Sequence, residues 1–215
     1  MSDASPRRLY VDFDDVVAET LVGLAALLRR ERGWAPSFEE TREFDLHVSF
    51  RLDPAAYDDF MRKAHQPAEL LALDEIPGAT AVLRAWLDDG LAPVVVTGRP
   101  AWCHAASRQW LDERGLADLP LVFADKYNRH VGPVPEGVEL LRADGLRSLG
   151  FALAIDDAPP ALDFVLRSGL CPALVFDRPW NRAYRPDLPR ARTWSEVDAH
   201  VRRFLAAAGH RQFSF

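Results

Sequence analysis

Five short apolar runs, each broken off by a polar cluster, constrain the fold more than any other feature of this chain. Leu9-Tyr10-Val11 runs into Asp12-Phe13-Asp14-Asp15, and Pro93-Val94-Val95-Val96 into Thr97-Gly98-Arg99-Pro100. Leu119-Pro120-Leu121-Val122-Phe123 reaches Ala124-Asp125-Lys126, and Phe151-Ala152-Leu153-Ala154-Ile155 reaches Asp156-Asp157. The last, Pro172-Ala173-Leu174-Val175-Phe176, reaches Asp177-Arg178-Pro179-Trp180-Asn181. Runs of this length without polar alternation read as strands buried on both faces, hence parallel. Helical period fills the stretches between them. Val16 to Arg32 carries Val17, Leu21, Leu24, Ala25 and Leu28 on one stripe, and Ala79 to Asp89, Trp102 to Glu113 and Leu141 to Leu149 follow the same rule. A last helix, running to about Ala208, opens on the capping-box spacing Thr193-Trp194-Ser195-Glu196. Strands and helices alternating in this way predict an α/β fold, a doubly wound parallel sheet with right-handed crossovers.

One interval breaks the rhythm. Between the first helix and Ile76-Pro77-Gly78 there is no strand-like core run, only Phe38, Phe44, Phe50, Tyr57 and Phe60 among many charges. The reading is a small, mostly helical insertion over 33–75, set above an α/β core formed by 1–32 and 76–215. The 215 residues carry 26 Lys+Arg against 32 Asp+Glu, a net charge of −6, which leaves no broad basic face for a nucleic acid polymer. No apolar run approaches the roughly 20 residues of a membrane span. Cys103 and Cys171 are too few for a disulfide framework, and the polar Met1 to Arg8 does not read as a signal peptide, so a cytoplasmic setting is expected.

In an open parallel sheet ligands bind at the carboxyl ends of the strands, where all these polar clusters lie. Asp12 and Asp14 would be brought to one point by a turn into the first helix. Alone, they would equally suit the N-terminus of that helix. A second acidic pair, Asp156-Asp157, at another strand end changes the balance, because carboxylates gathered at one edge repel each other without a cation. Such an all-oxygen set suits magnesium, which keeps waters and shares a substrate's phosphate oxygens. A lysine filling the gap between Asp12 and Asp156, or a wide separation of the two, would overturn that reading. The Thr97 hydroxyl and the amides of the Gly98 turn are apt donors to phosphate oxygens.

Asp-x-Asp-x-Val after the first strand, Thr-Gly after the second, a later basic residue and Asp-Asp after another strand together resemble the haloacid dehalogenase superfamily of phosphohydrolases. The surrounding text (Asp12-Phe13-Asp14-Asp15-Val16-Val17, Thr97-Gly98-Arg99-Pro100, Ile155-Asp156-Asp157) is most similar to its nucleotidase-like branch, which includes the 5′(3′)-deoxyribonucleotidases. The resemblance implies a Rossmann-like core with a cap after the first strand and helix. It also implies roles. Asp12 would be the nucleophile, giving an aspartyl-phosphate, and Asp14 the acid that protonates the leaving oxygen and then activates water. Mg²⁺ would be held by Asp12, the Asp14 main-chain carbonyl, Asp156 and Asp157, while Thr97 and Gly98 bind the phosphoryl group. The implied substrate is a small phosphomonoester such as a nucleoside monophosphate.

The sequence departs from the usual pattern in two places. Asp15 stands where many members have Gly, and would either cap the helix or repel an anionic substrate. The basic residue is either Lys126, at a strand end, or Arg142, whose spacing to Asp156 suits a helix-borne base; a point charge and a planar fork are not equivalent there. Arg99, Arg178 and Trp180 are candidate substrate-side residues, against the plainer reading of a rigid proline loop. The six histidines show no metal-ligand spacing and read as surface or core residues, as Cys103 reads as a buried hydrophobe. Rival functions are a phosphate-binding module without turnover, a phosphomutase and a dehalogenase. A monomer or homodimer is compatible with the chain.

Overall fold

The computed structural model describes residues 7–127 and 132–211, with side chains to Ala207. Seven parallel strands form one sheet in the order β4-β3-β2-β1-β5-β6-β7: β1 (Arg8–Asp12), β2 (Ala92–Thr97), β3 (Leu121–Ala124), β4 (Leu140–Leu141), β5 (Phe151–Asp156), β6 (Ala173–Phe176) and β7 (Arg190–Ala191). The five apolar runs are its central strands. The two-residue edges β4 and β7 carry too little apolar sequence to be visible in advance.

Helices cover both faces. On one side α5 (Ala79–Asp88), α6 (His104–Glu113) and α9 (Trp194–Arg211) bury Trp86, Trp110 and Trp194 against Val11, Val95 and Ile155. On the other, α7 (Ala143–Ser148) and α8 (Pro159–Arg167) place Leu146 and Val165 against Tyr10, Val96 and Ala154. At the head of α9 the expected capping box is altered. The Glu196 amide donates to Thr193 Oγ1 at 3.2 Å, but the Glu196 carboxylate reaches one residue further back, to the Arg192 amide at 2.7 Å.

The first helix, α1 (Thr20–Arg32), starts four residues later than its periodicity suggests. Residues 13–19 are instead wound into a tight loop in which the Val17 and Ala18 amides both donate to the Phe13 carbonyl at 3.0 Å. Gly33 ends α1 in the left-handed conformation, φ 76°, that a glycine adopts without steric cost.

Residues 33–75 contain a 3₁₀ turn (Phe38–Glu40), α2 (Leu46–Ser49), α3 (Pro54–Ala64) and α4 (Pro67–Leu71), and no strand. Phe50, Leu52, Phe60 and Ala64 pack on Leu24, Leu27 and Leu28 of α1. Leu70 and Leu73 join the main core, and the Leu73 carbonyl accepts from Trp110 Nε1 and Arg114 Nη2 at 2.8 Å each. The end of the segment is thus already attached to the α/β body.

Candidate active site

Strand register assembles the site. Val11 pairs with Ile155 and Asp12 with Val96, so Asp12, Thr97 and Asp156 come level at the carboxyl edge of β1, β2 and β5. The sheet order reverses at β1, the switch point at which doubly wound folds open a crevice. Pairing of Thr97 with Phe123 carries the chain after β3 to the same edge, delivering Lys126.

Asp12, Asp156 and Asp157 are all buried, and each offers a carboxylate oxygen lying within 4.8 Å of the others. Lys126 stands beside them, its Nζ donating to Asp12 Oδ1 and, at 3.1 Å, to Asp156 Oδ2. The lysine in the gap is therefore real, and the objection it raises is half met. Among the described residues one ammonium faces three carboxylates, so it compensates one of them. Burial, opposed by Lys126 and reinforced by Asp156, pushes the Asp12 carboxyl well above the usual range; burial, then Asp12 and Asp156, does the same to Asp157. Each is foremost the response of a carboxylate taken out of water, which the neighbouring charges do not offset. No described group donates to Asp12 Oδ2 or Asp157 Oδ1, and Asp156 accepts from Lys126, from Tyr10 Oη at 3.2 Å and from the Ala158 amide at 3.0 Å, with one Oδ1 lone pair left over. The donor set, all carboxylate oxygen with residual negative charge, fits a hard divalent cation.

Asp14 faces the cavity but is clasped. Arg99 Nε donates to both its oxygens at 3.0 and 3.1 Å, Arg99 Nη2 to Oδ1 at 2.6 Å, and Thr20 Oγ1 to Oδ1 at 2.6 Å. Burial would raise the Asp14 carboxyl, but the Arg99 charge and these bonds outweigh it and hold the group below its ordinary value. The Arg99 clasp therefore favours the carboxylate form of Asp14 in this arrangement. Arg99 is itself buried, stacked 4.0 Å over the Phe13 ring, with Nη1 on Ser107 Oγ at 3.1 Å.

Asp15 resolves as a helix cap. Both its carboxylate oxygens accept from the Leu21 amide, at 3.0 and 3.2 Å, and its φ is 55°. Burial pushes its carboxyl up to about 7. Thr97 is fully buried and its hydroxyl accepts from the Arg99 amide at 3.0 Å, leaving its own proton to donate. Gly98 has no room for a side chain: a Cβ there would lie 2.6 Å from Tyr127 Cε2.

The remaining candidates separate cleanly. Lys126 points at carboxylates rather than into the cavity, and Arg142 is exposed at the head of α7, outside the site. Arg178 does not line the cavity; its Nε donates to the Asp15 carbonyl at 2.8 Å and its guanidinium stacks 4.2 Å from Phe176, so it ties the loop after β6 to the loop after β1. Trp180 does line the cavity, with its indole nitrogen donating to Asp157 Oδ2 at 2.8 Å.

Three contributors escaped the sequence reading. Tyr10 shares Asp12's face of β1, a two-residue spacing that was open to view. Asn181, fully buried, donates from Nδ2 to the Asp157 and Phe176 carbonyls at 2.7 and 2.8 Å, which nothing in its sequence context signals. His65, read as a surface or core residue, lines the cavity; burial and then Arg99 push its imidazole down.

Above the strand ends opens a cavity of about 610 Å³ between the α/β body and the helical segment. The doubly wound parallel sheet with a helical segment inserted after its first strand and helix is the fold of haloacid dehalogenase-like hydrolases of known structure. Solved structures agree. The chain is similar to a haloacid dehalogenase-like family hydrolase from Streptococcus pneumoniae, at TM-score 0.62 and 16% identity over 92% of this chain and 99% of that one. It is similar to a HAD family hydrolase from Deinococcus radiodurans with bound phosphate and sodium, at TM-score 0.56 and 18% identity over 96% and 98%. It is also similar to a predicted phosphoglycolate phosphatase from Haemophilus somnus, at TM-score 0.60 and 13% identity over 91% and 97%. At these identities the likeness establishes the fold. Among protein families, residues 63–143 match the one described as PITM 1-3, LNS2 domain. That stretch covers less than half of the chain, including Thr97 and Lys126 but none of Asp12, Asp14, Asp156 and Asp157. A search of curated proteins returns no match.

Proposed function

We propose that the chain is a magnesium-dependent phosphomonoester hydrolase working through an aspartyl-phosphate on Asp12, with a small phosphorylated metabolite such as a nucleoside monophosphate as substrate. The observation that carries this reading is the buried Asp12–Asp156–Asp157 cluster, undercompensated by Lys126 and reaching the cavity through Asp12 and Asp157. Asp12, Asp156 and Asp157 would hold the metal, with the Asp14 main-chain carbonyl. Magnesium, when bound, neutralises charge on the transferred phosphoryl group and keeps the adjacent carboxylate ionised.

The chain's own residues then do the rest. Lys126 fixes the Asp12 carboxylate through Oδ1, leaving Oδ2 to attack phosphorus as the bond to the ester oxygen breaks. The departing oxygen takes its proton from Asp14, which carries one once the Arg99 clasp has loosened, and Asp14 becomes a carboxylate. The Thr97 hydroxyl and the Gly98 amide face the phosphoryl oxygens, in keeping with a loose transition state whose catalysis rests on alignment and charge stabilisation. In the second half Asp14, held as a carboxylate by Arg99, takes a proton from the water that attacks the aspartyl-phosphate, releasing phosphate and restoring Asp12. For Asp14 to protonate the leaving oxygen first, the Arg99 clasp must loosen when substrate binds. Residues 33–75 act as the cap that excludes bulk water.

That clasp also favours a second reading, a phosphate-binding module without turnover. Hydrolysis of p-nitrophenyl phosphate, with magnesium or with chelator, decides between them. Magnesium-dependent turnover that Asp12→Asn abolishes supports the hydrolase. Binding of phosphate with no turnover in any metal supports the module.

A further inference from the structure

The cavity that meets the acidic cluster has a wall of a particular chemistry. Leu24 and Leu27 of α1 face Phe44, Leu46, Tyr57 and Met61 of the helical segment. Among the described residues the cavity's one Lys or Arg is Arg99, and all three of its guanidinium nitrogens are engaged, Nε and Nη2 on Asp14 and Nη1 on Ser107. His65 adds no charge, since burial holds its imidazole low. The acidic side chains at the outer part of the cavity, Glu43 and Asp45, are exposed, and neither is ion-paired with a described residue.

An anionic group placed here would lose water, find no free cation among the described residues and meet carboxylates, whereas apolar surface would be buried against apolar surface. The volume, about 610 Å³, suits a group far larger than a two-carbon acid. We propose that this wall receives an uncharged, largely apolar or aromatic leaving group of a phosphomonoester and discriminates against esters whose remaining part carries a carboxylate or a second phosphate. The assignment rests on the phosphohydrolase reading and adds the class of substrate to it. It also separates this chain's specificity from the phosphoglycolate named for one of its structural neighbours.

The test pairs non-hydrolysable ligands with esters. Calorimetric binding in magnesium buffer is measured for 3-phenylpropylphosphonate and for 3-phosphonopropionate, and hydrolysis for 2-phenylethyl phosphate and phosphoglycolate, whose leaving groups are both alkoxides. The phenyl ligand is expected to bind roughly a hundredfold more tightly. Met61→Lys, which adds a cation to the wall, should cut that preference to below about tenfold; Glu43→Lys, at an exposed position that poses no folding risk, should narrow it in the same direction. Equal binding, or tighter binding of the carboxylate ligand, by the wild-type chain overturns the proposal, as does a preference that neither variant changes. If the phenyl preference holds while neither ester is hydrolysed, the assignment of the wall stands and the hydrolase reading alone falls.

Discussion

Replacing Lys126 by Met removes the one ammonium from the acidic cluster while nearly conserving volume, so the change isolates charge from packing. The lysine side chain is fully buried, bonded to Asp12 and Asp156, with its Nζ 5.1 Å from the centre of the Tyr10 ring. Removing one partner from a buried pair leaves an uncompensated charge and typically costs about 3–5 kcal/mol. For a chain of this size each kcal/mol moves the midpoint by about 2–4 °C, so thermal unfolding in chelator at pH 8 should begin roughly 6–20 °C lower. The loss should shrink at pH 5.5, because the stranded carboxylates take up protons in the folded state and lose their repulsion. Saturating magnesium should restore part of it, by about 2.7 kcal/mol at a hundred times the dissociation constant. Circular dichroism melts of both proteins under these conditions provide the measurement. A variant melting within about 2 °C of the wild type at pH 8 in chelator would refute the claim that Lys126 carries charge compensation for the cluster.

Three further outcomes follow from the same geometry. In chelator the wild-type chain should be more stable at pH 5.5 than at pH 8, by about 4 °C: Asp15, raised to about 7, and Asp12 and Asp157, pushed well above the usual carboxylate range, bind more protons folded than unfolded, so stability falls as pH rises through that window. Magnesium should flatten the dependence, and a melt series that rises with pH in chelator contradicts this. Gly98→Ala should lower stability by about 1–3 kcal/mol in denaturant titrations and reduce phosphate affinity, since its Cβ collides with the Tyr127 ring; unchanged phosphate binding would mean that this turn does not form part of the site. Arg99→Ala should let burial raise the Asp14 carboxyl, moving the acidic limb of the pH–rate profile upward and reducing kcat/KM by about a hundredfold; a profile with an unmoved limb would show that Asp14 is not the group read there.

The central sheet was legible because Leu9–Val11, Val94–Val96, Leu153–Ile155 and Leu174–Phe176 are apolar without alternation, and burial on both faces is the condition that selects such sequence. Their polar ends located the candidate site for the same reason, parallel strands presenting all carboxyl ends to one edge. What could not be read was side-chain direction. Asp15 turned out to cap α1 and Arg99 to clasp Asp14, both set by a tight loop at 13–19 that helical periodicity had folded into the helix. Arg142 had the right spacing and the wrong place, because the short strand β4 ends before it and leaves it exposed. Asn181 and His65 depend on long-range packing that no local pattern encodes.

The most direct measurement is mass spectrometry of the protein quenched in acid during turnover of a phosphomonoester in magnesium. A phosphoryl group on the peptide containing Asp12, lost in Asp12→Asn and never formed in chelator, is the expected result. Steady release of inorganic phosphate from the wild-type chain with no phosphoryl group on Asp12 at any quench time would contradict the account.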